Sequence, residues 1–206
     1  MDIKTLTIDV AQALRDPDFH QVNPRQLIGF INQAARDAGN EDWYVNTPED
    51  ESIVLATGNY SYTIPTPFVS ITEVWLPVLP AGTVYTDRLD DFKWHLVLVG
   101  ASVPRLRFDQ RLINIDAFNT KSPRLVGQKR PSVYTVVTET VDIGLESFLH
   151  NRSVYYGASF MARKNPALAP IYDTLGKESF GASEVLLQHQ KKRFGEFPLG
   201  RVVLGR

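Results

Sequence analysis

Four histidines are the side chains best suited to metal or proton chemistry: His20, His95, His150 and His189. They lie far apart, and none forms an HExxH or HxH pair. Glu146 and His150 are four apart on a predicted helix, so both fall on one face, as two metal ligands would. A surface ion pair needs only the same spacing. His95 follows Trp94 at the start of an apolar run and reads as a packed or hydrogen-bonded imidazole. Asp109 and Asp116 could be paired as acid and base, but Asp109 sits in a turn pattern and reads as a turn residue. Asp90-Asp91 before Phe92 fits a helix start. No glycine-rich loop of phosphate-binding spacing and no GxSxG elbow occurs. With no cysteine in the chain, disulfides, thiolate metal sites and cysteine nucleophiles are excluded. Nothing in these residues requires a catalytic explanation, and no cofactor is expected.

Seven bases cluster between positions 105 and 130: Arg105, Arg107, Arg111, Lys121, Arg124, Lys129 and Arg130, against Asp109 and Asp116. Arg105 and Arg107 alternate on a predicted strand and share a face. Phosphate affinity comes mainly from such charge, so contact with nucleic acid is one reading. The region lacks the stacking aromatics of a sequence-reading RNA module, which places a solvated or partner-facing strand first. Non-specific contact with passing DNA lies between the two.

The net charge of -1 hides an imbalance. Residues 1–51 hold ten acids and four bases, leaving thirteen acids and eighteen bases for the rest. Such asymmetry suits a solvated surface, or an acidic face on one copy meeting a basic face on another. At 206 residues, 43% hydrophobic and 22% charged, the chain has the composition of a globular protein able to bury a real core. No apolar run reaches bilayer-spanning length, and MDIKTLTIDV lacks the pattern of a secretory signal. The expectation is a protein made and kept in a cytoplasm until it is assembled.

The clearest element is NPRQLIGFINQAARDAGN, Asn23 to Asn40. Asn23 is a good N-cap, Pro24 fits the first helical position, and Gly39-Asn40 supply a left-handed close. Leu27, Ile31, Ala34, Ala35 and Ala38 form its apolar stripe. Thr5 to Arg15 predicts a shorter helix before it, with Leu6, Val10 and Leu14 aligned. From Ser52 the period changes. Ser52–Ala56 and Tyr60–Ile64 predict a hairpin. Phe68–Leu76, His95–Val99, Arg105–Phe108, Leu112–Ile115 and Val133–Val141 predict further strands, with a helical turn over Leu89–Lys93. From Leu145 the helical period returns, with Leu145, Leu149, Tyr156, Phe160 and Met161 on one face up to Lys164-Asn165-Pro166. A last helix, Ala169 to Arg193, carries Tyr172, Leu175, Ala182 and Leu186. Lys191, Lys192 and Arg193 suit its C-terminal dipole.

The fold expected is α+β: a helical bundle built by the N- and C-terminal helices, a central antiparallel β module and an extended C-terminal tail. It is read as a single elaborated domain, with a helical hairpin over 1–51, the β module over 52–143, closing helices over 144–193 and a docking tail over 194–206. The tail, GEFPLGRVVLGR, ends in a short β-branched run. Two outcomes stay open for it: folding back on its own domain, or docking on a neighbour by strand addition.

In this order the pieces resemble the head-to-tail adaptor (head completion, or connector) proteins of tailed phages. LIGFINQAARDA is similar to the family's early helix, NYSYTIPTPFVSITEVWL to its strand pair, and RPSVYTV to the strand before its closing helices. Ile64 stands where the family carries leucine, and Pro67 where it carries an acid. The resemblance implies a structural virion protein without catalytic residues at the head–tail junction, assembled in the bacterial host cytoplasm. It implies a homo-oligomeric ring beneath the portal, twelve copies being usual, with DNA passing non-specifically through the lumen. Its partners would be the portal protein and a tail, nozzle or second adaptor protein, with no membrane involved. On that reading Lys191, Lys192, Arg193, Phe194, Phe197, Leu199, Val202, Val203 and Leu204 would engage the portal or a neighbouring subunit. The seven bases named above would face the lumen, its DNA, or the next subunit. The alternatives are a tail completion or gatekeeper protein of the same virion and, from other classes, a metal-dependent enzyme using Glu146 and His150 or a small nucleic-acid-binding module on the basic strands.

Overall fold

Local signals build the first helices. In a computed structural model of the protein, residues 1–41, 43–47, 49–66, 68–98, 104–195 and 202–204 are described, with backbone alone for 98, 192–195 and 202–204. Helix α1 spans Ile3–Ala13, beginning two residues before the expected start because the Asp2 carboxylate accepts from the Thr5 N–H at 2.7 Å. Helix α2 spans Pro24–Asn40, with a reciprocal capping box between Asn23 and Gln26. Its buried residues are the expected stripe: Leu27, Ile31, Ala34, Ala35 and Ala38. Its end differs from expectation. Gly39 stays helical, and the cap falls on Glu41 with φ −95°. A Cβ at Gly39 would lie 3.5 Å from the Pro131 ring, an ordinary packing contact, so neither a left-handed turn nor lack of room requires the glycine there.

Between these helices the buried Asp16 carboxylate accepts from the backbone N–H groups of His20, Gln21 and Val22 at 2.8–2.9 Å. This one side chain satisfies donors that the tight loop leaves without backbone partners.

Helix α3, Glu146–Lys164, ends where the sequence predicts. Leu145, Leu149 and Met161 are buried and Tyr156 and Phe160 half-buried, but Phe148, Arg152, Ser153, Val154, Gly157 and Ala158 are buried too. The buried face is wide because α3 packs against α1, α2 and α4. Helix α4, Ala169–Gly195, turns Tyr172 inward as expected, with Leu175 and Leu186 half-buried against the core, but its buried face also takes in residues the expected stripe lacked. Ala182 is exposed; Tyr172, Gly176, Ser179, Ser183 and Leu187 are buried. Small residues there let α4 approach α3: a Cβ at Gly176 would touch Ala158 Cβ at 3.6 Å.

The chain divides into two compact units. The helical unit comprises Met1–Val45 and Arg130–Glu196, so residues 130–143, assigned from sequence to the β module, lie with the helices. Val133–Val141 is not a strand. It is a loop in which the Tyr134 N–H donates to Asn32 Oδ1 at 2.7 Å and Asn32 Nδ2 donates back to the Tyr134 carbonyl at 2.7 Å.

The other unit comprises Asn46–Lys129 and Phe197–Arg206. Its strands are β1 Val45–Asn46, β2 Ser61–Thr63, β3 Phe68–Leu76, β4 Asp87–Arg88, β5 Trp94–Leu98, β6 Arg105–Phe108, β7 Arg124–Lys129 and β8 Val202–Leu204. They form two four-stranded sheets, ordered β1-β7-β3-β4 and β2-β6-β5-β8. Ile71, Val74 and Leu125 from the first and Tyr62, Trp94, Leu96, Leu106 and Phe108 from the second share one apolar core. Fully burying side chains such as Leu106 and Phe108 contributes about 1.5–3 kcal/mol each.

The expected hairpin of Ser52–Ala56 with Tyr60–Ile64 is absent. β2 pairs with β6, and Leu55 exchanges backbone hydrogen bonds with Thr120 and Lys121. Leu112–Ile115 is a turn running into a short 3-10 helix, Ile115–Phe118, and Leu89–Lys93 contains a turn. β4 and β7 carry no sequence signal strong enough to predict them. β7 pairs with β3, and at Gly127 a Cβ would lie 2.1 Å from the Ser70 carbonyl, so only glycine fits.

Candidate functional site

The residues suited to catalysis are occupied otherwise or stand apart. His20 and His189 are exposed, and His95 is half-buried on β5 with Arg107 as its cross-strand neighbour. Glu146 turns to its own helix start, accepting from the Gly144 N–H at 2.9 Å, in a groove that also holds Asp9 and His150. Among the described residues no three His, Asp or Glu side chains come together to hold a metal ion. Asp109 accepts from the Arg111 N–H at 2.8 Å, as a turn residue does, and Asp116 accepts from the Gly58 N–H at 2.7 Å. Asp90 and Asp91 pair with Lys93 and Arg88 in a turn, not at a helix start.

The seven bases lie on several different elements. Arg105 and Arg107 are exposed on β6 and alternate with buried Leu106 and Phe108, so they share the outer face of the second sheet. Across the ladder, Arg107 is flanked by Ser61 and His95, and Arg105 by Thr63 and Val97. Arg105 Nη2 donates to the Ser61 carbonyl at 3.1 Å. Arg111 is exposed in the turn after β6. Arg124 belongs to the other sheet and is neutralised there by Glu49 at 3.0 Å and Glu51 at 2.9 Å, with its guanidinium 4.2 Å from the Tyr85 ring centre. Lys121 and Lys129 are half-buried, and Arg130 is exposed in the helical unit. Arg105 and Arg107 are thus the pair from this group that one face presents together.

For the tail, the backbone of Val202–Leu204 forms β8, parallel to β5, with Val202, Val203 and Leu204 in register with Leu96, Val97 and Leu98. Phe197 and Leu199 lie outside the described residues, as do the side chains of Lys192, Arg193, Phe194 and β8. Lys191 is described, and its ammonium meets Glu41 Oε2 at 2.6 Å, tying the end of α4 to the cap of α2.

Exposed apolar surface occurs in both units. The loop after β3 presents Val78 (41% exposed), Leu79 (42%) and Val84, braced by a Val78 N–H to Val84 carbonyl bond of 2.7 Å. In the helical unit Ile143 is 91% exposed, and Val133 and Val136 are also exposed.

The charge cluster that sequence reasoning missed is internal to the helices. Arg152 is buried on α3. Its Nη2 meets Glu184 of α4 at 2.5 Å, its Nε lies 3.8 Å from Asp37 of α2, and its guanidinium sits 4.4 Å from the Phe180 ring centre. The Tyr156 hydroxyl donates to the same Asp37 carboxylate. Burial, and then that hydrogen bond, hold the Tyr156 hydroxyl above the ordinary tyrosine range. The partners lie on three helices far apart in sequence, so no spacing within one segment could reveal them.

Among the described residues no helix is long and apolar enough to cross a membrane. Comparison with protein families finds that the family described as SU10 adaptor protein matches residues 1–192. Comparison with curated proteins finds no match.

Proposed function

The chain belongs to the SU10 adaptor protein family, a family of structural phage adaptors, and from that premise we propose that it forms a ring beneath the portal of a tailed phage. In that ring it joins the portal to the tail, and DNA passes through the lumen. The match over residues 1–192 carries the reading. A closed ring needs two different patches on each copy, one meeting the other on the next subunit. The acidic N-terminal segment and the more basic remainder offer unlike charge, and the loop tips at Val78-Leu79 and Ile143 offer apolar contact.

In this reading Arg105, Arg107 and Arg111 face either the DNA in the lumen or the acidic segment of the next copy. Both contacts weaken as salt rises, so direct binding separates the two: lumen-facing arginines give base-sequence-independent affinity for added DNA, which substituting Arg105 and Arg107 lowers, whereas an intersubunit contact gives none. The end of α4 and the tail, Lys191 to Leu204, engage the portal or a neighbouring subunit.

The test is to incubate the purified protein with DNA-filled, portal-bearing capsids that lack it and to image the vertex by electron microscopy. A new ring of density beneath the portal is expected, and its symmetry gives the copy number. A folded protein that adds no density there, or that binds purified tail tube and not purified portal, would overturn the portal assignment.

A further inference from the structure

We propose that the outer edge of β5 is an exchange site, which in the assembled ring takes the C-terminal strand of a neighbouring copy in place of its own. The proposal rests on the ring reading above.

β5 is paired on one side with β6, antiparallel, from Trp94 to Val97. Its other side is filled by three residues, Val202–Leu204, running parallel to it. These residues come from the far end of the chain. They follow α4, which belongs to the helical unit, yet they complete a sheet of the other unit. A terminal strand that leaves the helices of one unit to close the sheet of another is the arrangement that strand exchange uses. The neighbour's identical segment makes the same backbone bonds, so exchange requires no new recognition surface. The occupant is therefore a second copy of this chain, specified by the register already present.

A further observation favours exchange. The strand that β8 covers, WHLVL, would leave an apolar edge bare if the tail simply departed, so a replacement strand is needed to keep that edge closed.

The chain has no cysteine, so engineered thiols report without background. Val97 and Val203 are register partners, and neighbouring strands lie about 4.8 Å apart, within the Cα separation a disulfide spans. Full-length Val97→Cys and full-length Val203→Cys proteins would be mixed, assembled on portal-bearing capsids, oxidised and run without reductant. A Val97→Cys/Val203→Cys double variant would be treated in parallel, and Leu98→Cys with Leu204→Cys gives a second register pair. Exchange predicts a covalent heterodimer in the mixed ring and a ladder of multimers from the double variant, against an intrachain bond in the unassembled protein. A ring seen by microscopy in which both pairs give only intrachain bonds would overturn the exchange while leaving the adaptor reading intact. If no ring forms, the ring reading fails and the exchange fails with it.

Discussion

Replacing Arg152 by methionine should destabilise the helical unit by about 2–4 kcal/mol. The Arg152 side chain is 6% exposed and faces two carboxylates, Glu184 at 2.5 Å and Asp37 at 3.8 Å. Losing the guanidinium leaves two negative charges, and Asp37 also accepts from Tyr156. Breaking a buried pair costs about 3–5 kcal/mol when the survivor is sealed from water. Here Glu184 is 37% and Asp37 30% exposed, so water screens part of the penalty and the estimate falls below the top of that range. Methionine keeps most of the volume beside Phe180, which separates the charge effect from a cavity effect. The assay is urea unfolding followed by far-ultraviolet circular dichroism, where the helices dominate the signal. Glu184→Gln alone should cost about 1–2 kcal/mol, and the double variant should cost less than the two single losses combined, with a coupling of about 1–2 kcal/mol. An Arg152→Met protein within 0.5 kcal/mol of the parent, or strict additivity with Glu184→Gln, would refute the claim that this network joins the three helices.

Gly127→Ala should disrupt the β3–β7 pair, because the new methyl would meet the Ser70 carbonyl at 2.1 Å and the Phe68 ring at 2.8–2.9 Å; a loss above about 2 kcal/mol is expected, read as a lower unfolding midpoint, and a neutral variant would contradict the register. Asn23→Ala removes half of the capping box on α2 and should cost about 1 kcal/mol by the same unfolding assay. Tyr134 and Tyr156 are both held above the ordinary tyrosine value of 10.0, by burial foremost, with Asp142 and Asp37 adding to it. Their contribution is therefore full below pH 10 and is lost as pH rises beyond it, because the unfolded chain releases these protons first. Ultraviolet titration should find these two phenols silent until the protein unfolds, and a Tyr134→Phe/Tyr156→Phe variant should lose stability less steeply above pH 10. Deleting the chain from Gly195 onward should leave the helical signal intact and abolish attachment to capsids; a truncated protein that still completes particles would remove the tail from the docking surface.

Where contacts are local, the sequence was readable in detail. The cap, first turn and stripe of α2 depend on residues within one or two turns of each other, so spacing alone places them. Gly39 shows the limit: a glycine at a helix end suggests a left-handed cap, but here Gly39 stays helical and the cap falls on Glu41. The strands were harder. Val133–Val141 has strand composition, yet its backbone is engaged by Asn32 on α2 and by its own side chains, including Thr135 with Glu139. β7 was missed because Gly127 and Gln128 weaken its pattern, and the glycine is required only by its partner strand. Among the site residues, alternation placed Arg105 and Arg107 on one face, while clustering in sequence joined bases that belong to different sheets. Arg124 lies in a different sheet, matched to Glu49 and Glu51, and proximity along the chain carries no information about that.

The path of the chain through the β unit has a consequence for how such a protein can change. Residues 46–129 interrupt the helical unit between α2 and α3, and they enter and leave by β1 and β7, which are neighbours in one sheet. Thr47 and Gly127 exchange hydrogen bonds across that junction. The guest segment thus begins and ends at nearly one point, as an inserted domain does. Its loops can lengthen, shorten or be replaced without altering the separation that the host helices must bridge. Host and guest can therefore diverge at different rates, with the four helices kept as a common frame while the strands are refitted to different neighbours.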